Sequence, residues 1–180
     1  MRREISNKIE IPLDVKLEIN NGEVVVKGPH GENRRHFKLT GITMTKKEND
    51  LVLECKKATK KEKKMINTTA SHIRNMIKGV REKFEYKMKI CFSHFPMTVE
   101  VKGNEATIKN FLGEKIPRHA KIISGIDVKV VKEFITITGT DKEKTGQTAA
   151  NFEKASTVRN KDRRIFQDGI FITHKPEEEI

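Results

Sequence analysis

The chain repeats itself once. With a two-residue gap, residues 12–32 align with 96–114: Pro12 falls on Pro96, Val15 on Val99, Lys27 on Lys109, Gly31 on Gly113 and Glu32 on Glu114. Further along, Thr69-Ala70-Ser71-His72-Ile73 matches Thr148-Ala149-Ala150-Asn151-Phe152. The period of about 80 residues is far longer than a solenoid unit, so a domain has been duplicated. Each half shows strand patterns followed by a helical one. The expected fold class is α+β: two tandem similar domains, each an antiparallel-rich sheet covered by one helix, at 1–82 and 83–180. Domains of that size bury only roughly 60% of their chain surface, and should lean on one another or on a partner.

The patterns place the elements. Residues 8–37 read as a strand series in which Val15, Leu17 and Ile19 alternate with Lys16 and Glu18. Asn20-Asn21-Gly22 turns the chain into Val24-Val25-Val26 as a hairpin. Gly28-Pro29-His30-Gly31 lacks the spacing of a phosphate-binding loop. It reads as a turn, with a backbone that could still face a phosphate. Strands follow at 42–45 and 51–55. The lysine-rich 56–64 reads as a solvated linker into a helix from about Asn67 to Gly79, capped by Thr68 or Thr69, with Ala70, Ile73, Ile77 and Val80 on its apolar face. Phe84, Tyr86, Met88, Ile90 and Phe92 then alternate strictly with Glu85, Lys87, Lys89 and Cys91. Strands at 128–131 and 134–138, a helix over about 142–157 and a last strand at 169–173 complete the second half.

Charge narrows the partner. The 180 residues carry 37 Lys and Arg against 25 Asp and Glu, a net of +12, which points to a polyanion: nucleic acid first, an anionic membrane surface second. No apolar run approaches the roughly 20 residues of a membrane span, and the N-terminus has no apolar stretch of signal-peptide length. Cys55 and Cys91 lie far apart in strand patterns and read as small buried hydrophobes, with no disulfide or zinc site expected.

The positive charge is focused in one place. Across 158–172, VRNKDRRIFQDGIFI, Arg159, Lys161, Arg163 and Arg164 are opposed only by Asp162. Ile165, Phe166, Ile170, Phe171 and Ile172 then offer apolar anchors, and Asp168-Gly169 reads as a tight turn with Gly169 free to adopt positive φ. An anchored cationic edge suits a fixed array of phosphates. A capped helix end with ordinary surface charge is the alternative. The candidate RNA-binding set is Arg159, Lys161, Arg163, Arg164 and Lys175. A second possible contact is Lys115, Arg118 and His119, and a third is Lys87, Lys89 and His94, where a plain exposed strand face explains the residues equally well. The six histidines show no metal-ligand spacing, and Ser93-His94 lacks a carboxylate orienter for nucleophilic catalysis.

Several stretches together, VKGPHG (26–31), SHIRNMIKGV (71–80), FEYKMKICFSHFPM (84–97), NFLGEK (110–115), GQTAANFEKA (146–155) and NKDRRIFQDGIFI (160–172), resemble the large-subunit ribosomal protein L-six family. The similarity spans essentially the whole chain and is strongest to the archaeal and eukaryotic-cytosolic branch, whose eukaryotic member is called L-nine. Two positions depart from that branch's signature: Lys154 replaces a Gln, adding a cation, and Phe171 replaces a Tyr, keeping the ring without its hydroxyl. The resemblance implies two α+β domains bound directly to large-subunit rRNA near the sarcin–ricin loop and stalk base, beside neighbouring large-subunit ribosomal proteins and the landing site of translation factors. It implies a cytoplasmic, non-enzymatic protein without cofactor or membrane partner. The rivals are a free-standing RNA-binding or RNA-chaperone module and, more remotely, a metal-independent nuclease.

Overall fold

The computed structural model describes residues 3–20, 22–47, 49–176 and 178–179. Asn21 of the expected hairpin turn and the first two residues of the N-terminal stretch lie outside them. The chain divides after Lys83 into two compact units.

In the first unit the strands are β1 (Arg3–Glu10), β2 (Lys16–Asn20), β3 (Glu23–Gly28), β4 (Gly31–His36), β5 (Thr43–Lys47) and β6 (Asp50–Ala58), followed by helix α1 (Lys60–Arg81). They form two antiparallel sheets, ordered β1-β6-β5 and β2-β3-β4. Leu17, Val24, Val26, Leu51 and Leu53 meet Ile66, Ile73 and Val80 of α1 in one core. Each such side chain contributes about 1.5–3 kcal/mol through burial.

The helix begins earlier than the apolar stripe suggested. Thr59 and Glu62 form a capping box, the Thr59 N–H donating to Glu62 Oε2 at 2.8 Å and the Lys61 N–H to Thr59 Oγ1 at 3.3 Å. Lys60, Lys61, Lys63 and Lys64 therefore lie on the exposed face of the first turns of α1, not on a linker. Gly79 is buried within the helix, which continues to Arg81.

The second unit repeats the plan with β7 (Phe84–Cys91), β8 (Thr98–Lys102), β9 (Glu105–Lys109), a single 3-10 turn (Phe111–Gly113), β10 (Arg118–Lys121), β11 (Asp127–Val131), β12 (Phe134–Gly139) and α2 (Lys142–Ala155). It continues past that plan with β13 (Gly169–Lys175) and β14 (Glu178–Glu179). The sheet β10-β9-β8 answers to β4-β3-β2, and β11-β12-β7 answers to β5-β6-β1. The repeated helical residues are buried in both copies: Thr69 and Thr148, Ala70 and Ala149, Ile73 and Phe152. What has no counterpart is 156–179. The chain leaves α2, crosses 156–168 and adds β13 to the edge of β7 that the first unit leaves unextended among its described residues.

Both units also tie the turn after their second hairpin strand to the C-terminus of their helix, where carbonyls lack intrahelical partners. In the first unit the His30 N–H donates to Val80 O at 3.0 Å, and a Cβ on Gly28 would stand 2.9 Å from the same oxygen. The Gly28–Gly31 loop is thus a docked turn with that amide already engaged. In the second unit the Arg118 side chain does the equivalent work.

Candidate nucleic-acid interface

The cationic segment leaves α2 under close control. Ser156 is 3% exposed and donates through Oγ to Phe152 O at 3.1 Å, and the Thr157 hydroxyl donates to Glu153 O at 3.0 Å. Arg118 reaches across from β10: Nη1 donates to Ala155 O (3.0 Å) and Thr157 O (2.9 Å), while Nε and Nη2 grip both oxygens of Glu114 at 2.8 and 2.6 Å. Its guanidinium also lies 4.1 Å from the Phe111 ring centroid. The Arg118 hydrogen bonds hold the Glu114 carboxyl below its ordinary value. Arg118 is therefore an internal clamp, its guanidinium committed to Glu114 and to two backbone carbonyls.

Beyond Val158 the chain exposes Arg159, turns through Asn160 at φ 56°, and folds around Asp162. Asp162 accepts the Arg164 N–H at Oδ1 (2.9 Å) and pairs with the Arg164 side chain at 3.1 Å, and its carbonyl accepts the N–H groups of Ile165 and Phe166. The Arg164 contacts lower the Asp162 carboxyl. Lys161 stands 4.5 Å from the Phe166 ring centroid. Arg159 and Arg163 are exposed and have no hydrogen-bond or ion-pair partner among the described residues. Of the four cations, one is tied to a carboxylate within its own turn and two are wholly available.

The far end of the segment is fixed by Asp168, whose side chain is fully buried. It accepts the Ser93 N–H (3.1 Å), the Ser93 hydroxyl (2.8 Å) and the His94 N–H (3.4 Å), and lies 3.1 Å from His94 Nδ1. Burial pushes the Asp168 carboxyl up, but the bonds from His94 and Ser93 outweigh it and leave it below its ordinary value. His94 stacks on Phe166 at 5.0 Å. A carboxylate thus does stand beside the Ser93-His94 pair, contrary to expectation. Ser93 and Asp168 share one ring nitrogen, though, whereas a nucleophile's base needs its orienter on the other. The cluster organises a loop and lacks the relay geometry of an activated nucleophile.

Three further expectations are corrected. Asp168-Gly169 is not a tight turn: Gly169 already belongs to β13 without positive φ, and its missing Cβ leaves room for the Phe171 ring, 2.8 Å from where that atom would be. Ile165 and Phe171 are not core anchors but are 65% and 47% exposed, because the anchoring passes to Asp168 and to Ile170, which is 1% exposed. Phe92, at 39%, has also left the alternation of β7. The open edge of β13 is closed by α2: the Ile170 N–H donates to Ser156 Oγ (2.9 Å) and the Ile172 N–H to Glu153 Oε1 (3.0 Å).

The expected site residues do not all gather. Arg159, Lys161, Arg163, Arg164, His94 and the Glu114–Arg118 clamp meet at the end of the second unit formed by the C-terminus of α2 and the start of β13, with Lys115 exposed on the adjoining turn. That turn holds Asn110 (φ 59°), Leu112 (φ 48°) and Gly113 (φ 78°) in left-handed backbone. Lys89 lies on the outer face of the large sheet, between Phe134 and Phe171 in register. Lys87, paired with Glu85 at 3.4 Å, and Lys175 lie further along the same strands, and His119 sits 3.3 Å from Glu105 on the other sheet. Sequence reasoning missed Ser156, Glu153 and Glu114. Only the Glu114/Arg118 spacing of four residues offered a signal.

Comparison with known proteins converges on one family. A model described as ribosomal protein L6 matches residues 11–83 and 95–169, one stretch in each unit. Large ribosomal subunit protein uL6 of Methanobrevibacter smithii is 50% identical over 171 residues, covering 95% of this chain and 96% of its own length. The uL6 of Methanosphaera stadtmanae is 51% identical over 179 residues, covering 98% and 97%. That of Methanococcus vannielii is 48% identical over 171 residues, covering 95% and 94%.

Proposed function

The chain belongs to the ribosomal protein L6 family, and on that premise we propose that this structural, non-enzymatic protein binds large-subunit rRNA directly through the α2–β13 end of its second unit. The observation that carries the reading is a pair of guanidinium groups, Arg159 and Arg163, without partners among the described residues, on a segment fixed at Thr157, Asp168 and Ile170. Arginine forms planar, bidentate pairs with phosphate, and a fixed backbone gives those pairs a defined spacing. Folded RNA is recognised largely by such shape and backbone contacts. Lys161, Arg164 and Lys115 add charge at the same end. Lys87, Lys89, Lys175, His94 and His119 complete the proposed contact set at its margins. The exposed lysines of α1 supply diffuse attraction from the first unit.

In the cell this places the protein in the cytoplasm on the large subunit. There it supports the region near the sarcin–ricin loop and stalk base, with other subunit proteins as neighbours and translation factors close by. No helix among the described residues is long and apolar enough to cross a membrane. Sedimentation tests the assignment. The protein should comigrate with large subunits after a high-salt wash, whereas stripping at that step would identify a free-standing RNA-binding or chaperone module.

A further inference from the structure

A groove of about 860 Å³ opens beside the cationic segment, and the exposed residues that line it include Phe92, Arg163, Ile165 and Phe171. That volume lies in the range of sites for small organic ligands. Its chemistry is uneven in a useful way. Phe92, Ile165 and Phe171 are 39%, 65% and 47% exposed, so the structure leaves apolar surface open at its most cationic end. Arg163 is exposed there with no partner among the described residues. Of the two acids that line the groove, Asp168 is fully buried and saturated by Ser93 and His94, while Glu153, on the α2 side, accepts the Ile172 N–H through Oε1 and keeps its charge. The Ser156 hydroxyl is likewise engaged on both sides. What remains is flat aromatic surface with a free guanidinium beside it, complementary to a ligand that is itself flat, aromatic and anionic.

We propose that the groove receives an unstacked nucleotide from a single-stranded stretch of bound RNA, the base lying against Phe171 and Phe92 and its phosphate against Arg163. This rests on the rRNA-binding reading and deepens it. Paired bases in a duplex keep their π-faces stacked on one another, so only a bulged, looped or terminal nucleotide can enter. Stacking of this kind tolerates any base. Phe171 is placed for it by Gly169, since a Cβ there would stand 2.8 Å from the ring and tilt it.

The test uses the full chain and a short single-stranded oligouridylate carrying one 2-aminopurine, with a blunt duplex RNA and a Glu- and Phe-rich peptide as comparators. Wild type should quench the fluorophore. Phe171→Ala should weaken single-strand affinity about tenfold, and Gly169→Ala severalfold, while Phe171→Tyr keeps it. None of these changes should alter duplex binding or its salt dependence. Equal single-strand affinity in wild type and Phe171→Ala, or preference for the acidic peptide, would overturn the proposal while leaving the rRNA reading intact if the duplex still binds. Loss of duplex and single-strand binding together in wild type would overturn both.

Discussion

Arg118 makes four hydrogen bonds and lies over an aromatic ring, on a side chain only 22% exposed. Its removal would leave Glu114 unpaired and two carbonyls at the end of α2 unsatisfied. Bonds to charged groups contribute about 1.5–3 kcal/mol each in favourable settings and do not add fully, so Arg118→Ala should destabilise the second unit by about 2–4 kcal/mol. Urea denaturation reads that cost directly. The salt dependence of RNA binding should stay unchanged. A stable variant with weakened salt dependence would show instead that Arg118 faces phosphate. Arg159 and Arg163 are the opposite case, exposed and with no hydrogen bond or ion pair to lose within the described protein, so their replacement should leave stability within about 0.5 kcal/mol of wild type.

Acid should loosen the segment that departs from the duplicated plan, 156–179, because Asp168 within it and Glu114, clamped to its start through Arg118, are both held low. Asp168 and Glu114 both sit below their ordinary values of 3.8 and 4.5 in the folded state. Groups of this sign stabilise the fold above those ordinary values, and the contribution is lost as pH falls through the lower folded values. The urea midpoint of the second unit should therefore drop as pH is taken below about 4.5. Asp168→Asn should start lower and fall less steeply, and parallel profiles for the two proteins would remove Asp168 from the explanation. At α1, Thr59→Ala should cost about 1 kcal/mol in the first unit by breaking the capping box. Circular dichroism melting would register it, and no change would mean that the lysine-rich turns fray. The box was visible as Thr59 and Glu62 three residues apart, yet with no apolar residue before Met65 nothing in the periodicity called for a helix there. Strict alternation made β7 plain from Phe84 to Ile90. The short β10, Arg118–Lys121, carries a single buried apolar residue, Ala120, too few for any alternation to show in the sequence. Asp168 was out of reach for another reason: its partners Ser93 and His94 lie some 75 residues away in sequence, and only the closed sheet brings them together.

At the scale of the whole molecule, duplication supplies two separate cores, one drawn from residues up to Val80 and the other from Tyr86 onward. Fragments 1–83 and 84–180 should each fold cooperatively, and the second should retain most of the RNA affinity. A first fragment that bound as tightly would move the interface to the lysines of α1. The most direct measurement is the dependence of affinity on salt for a large-subunit rRNA duplex region, compared between wild type and Arg159→Ala/Arg163→Ala. With four to six phosphates engaged, the log–log slope for wild type should be about −3 to −5, and the double variant should be shallower by about one to two units. An identical slope in the two proteins would mean that the anchored segment faces solvent and that RNA, if bound, is held elsewhere.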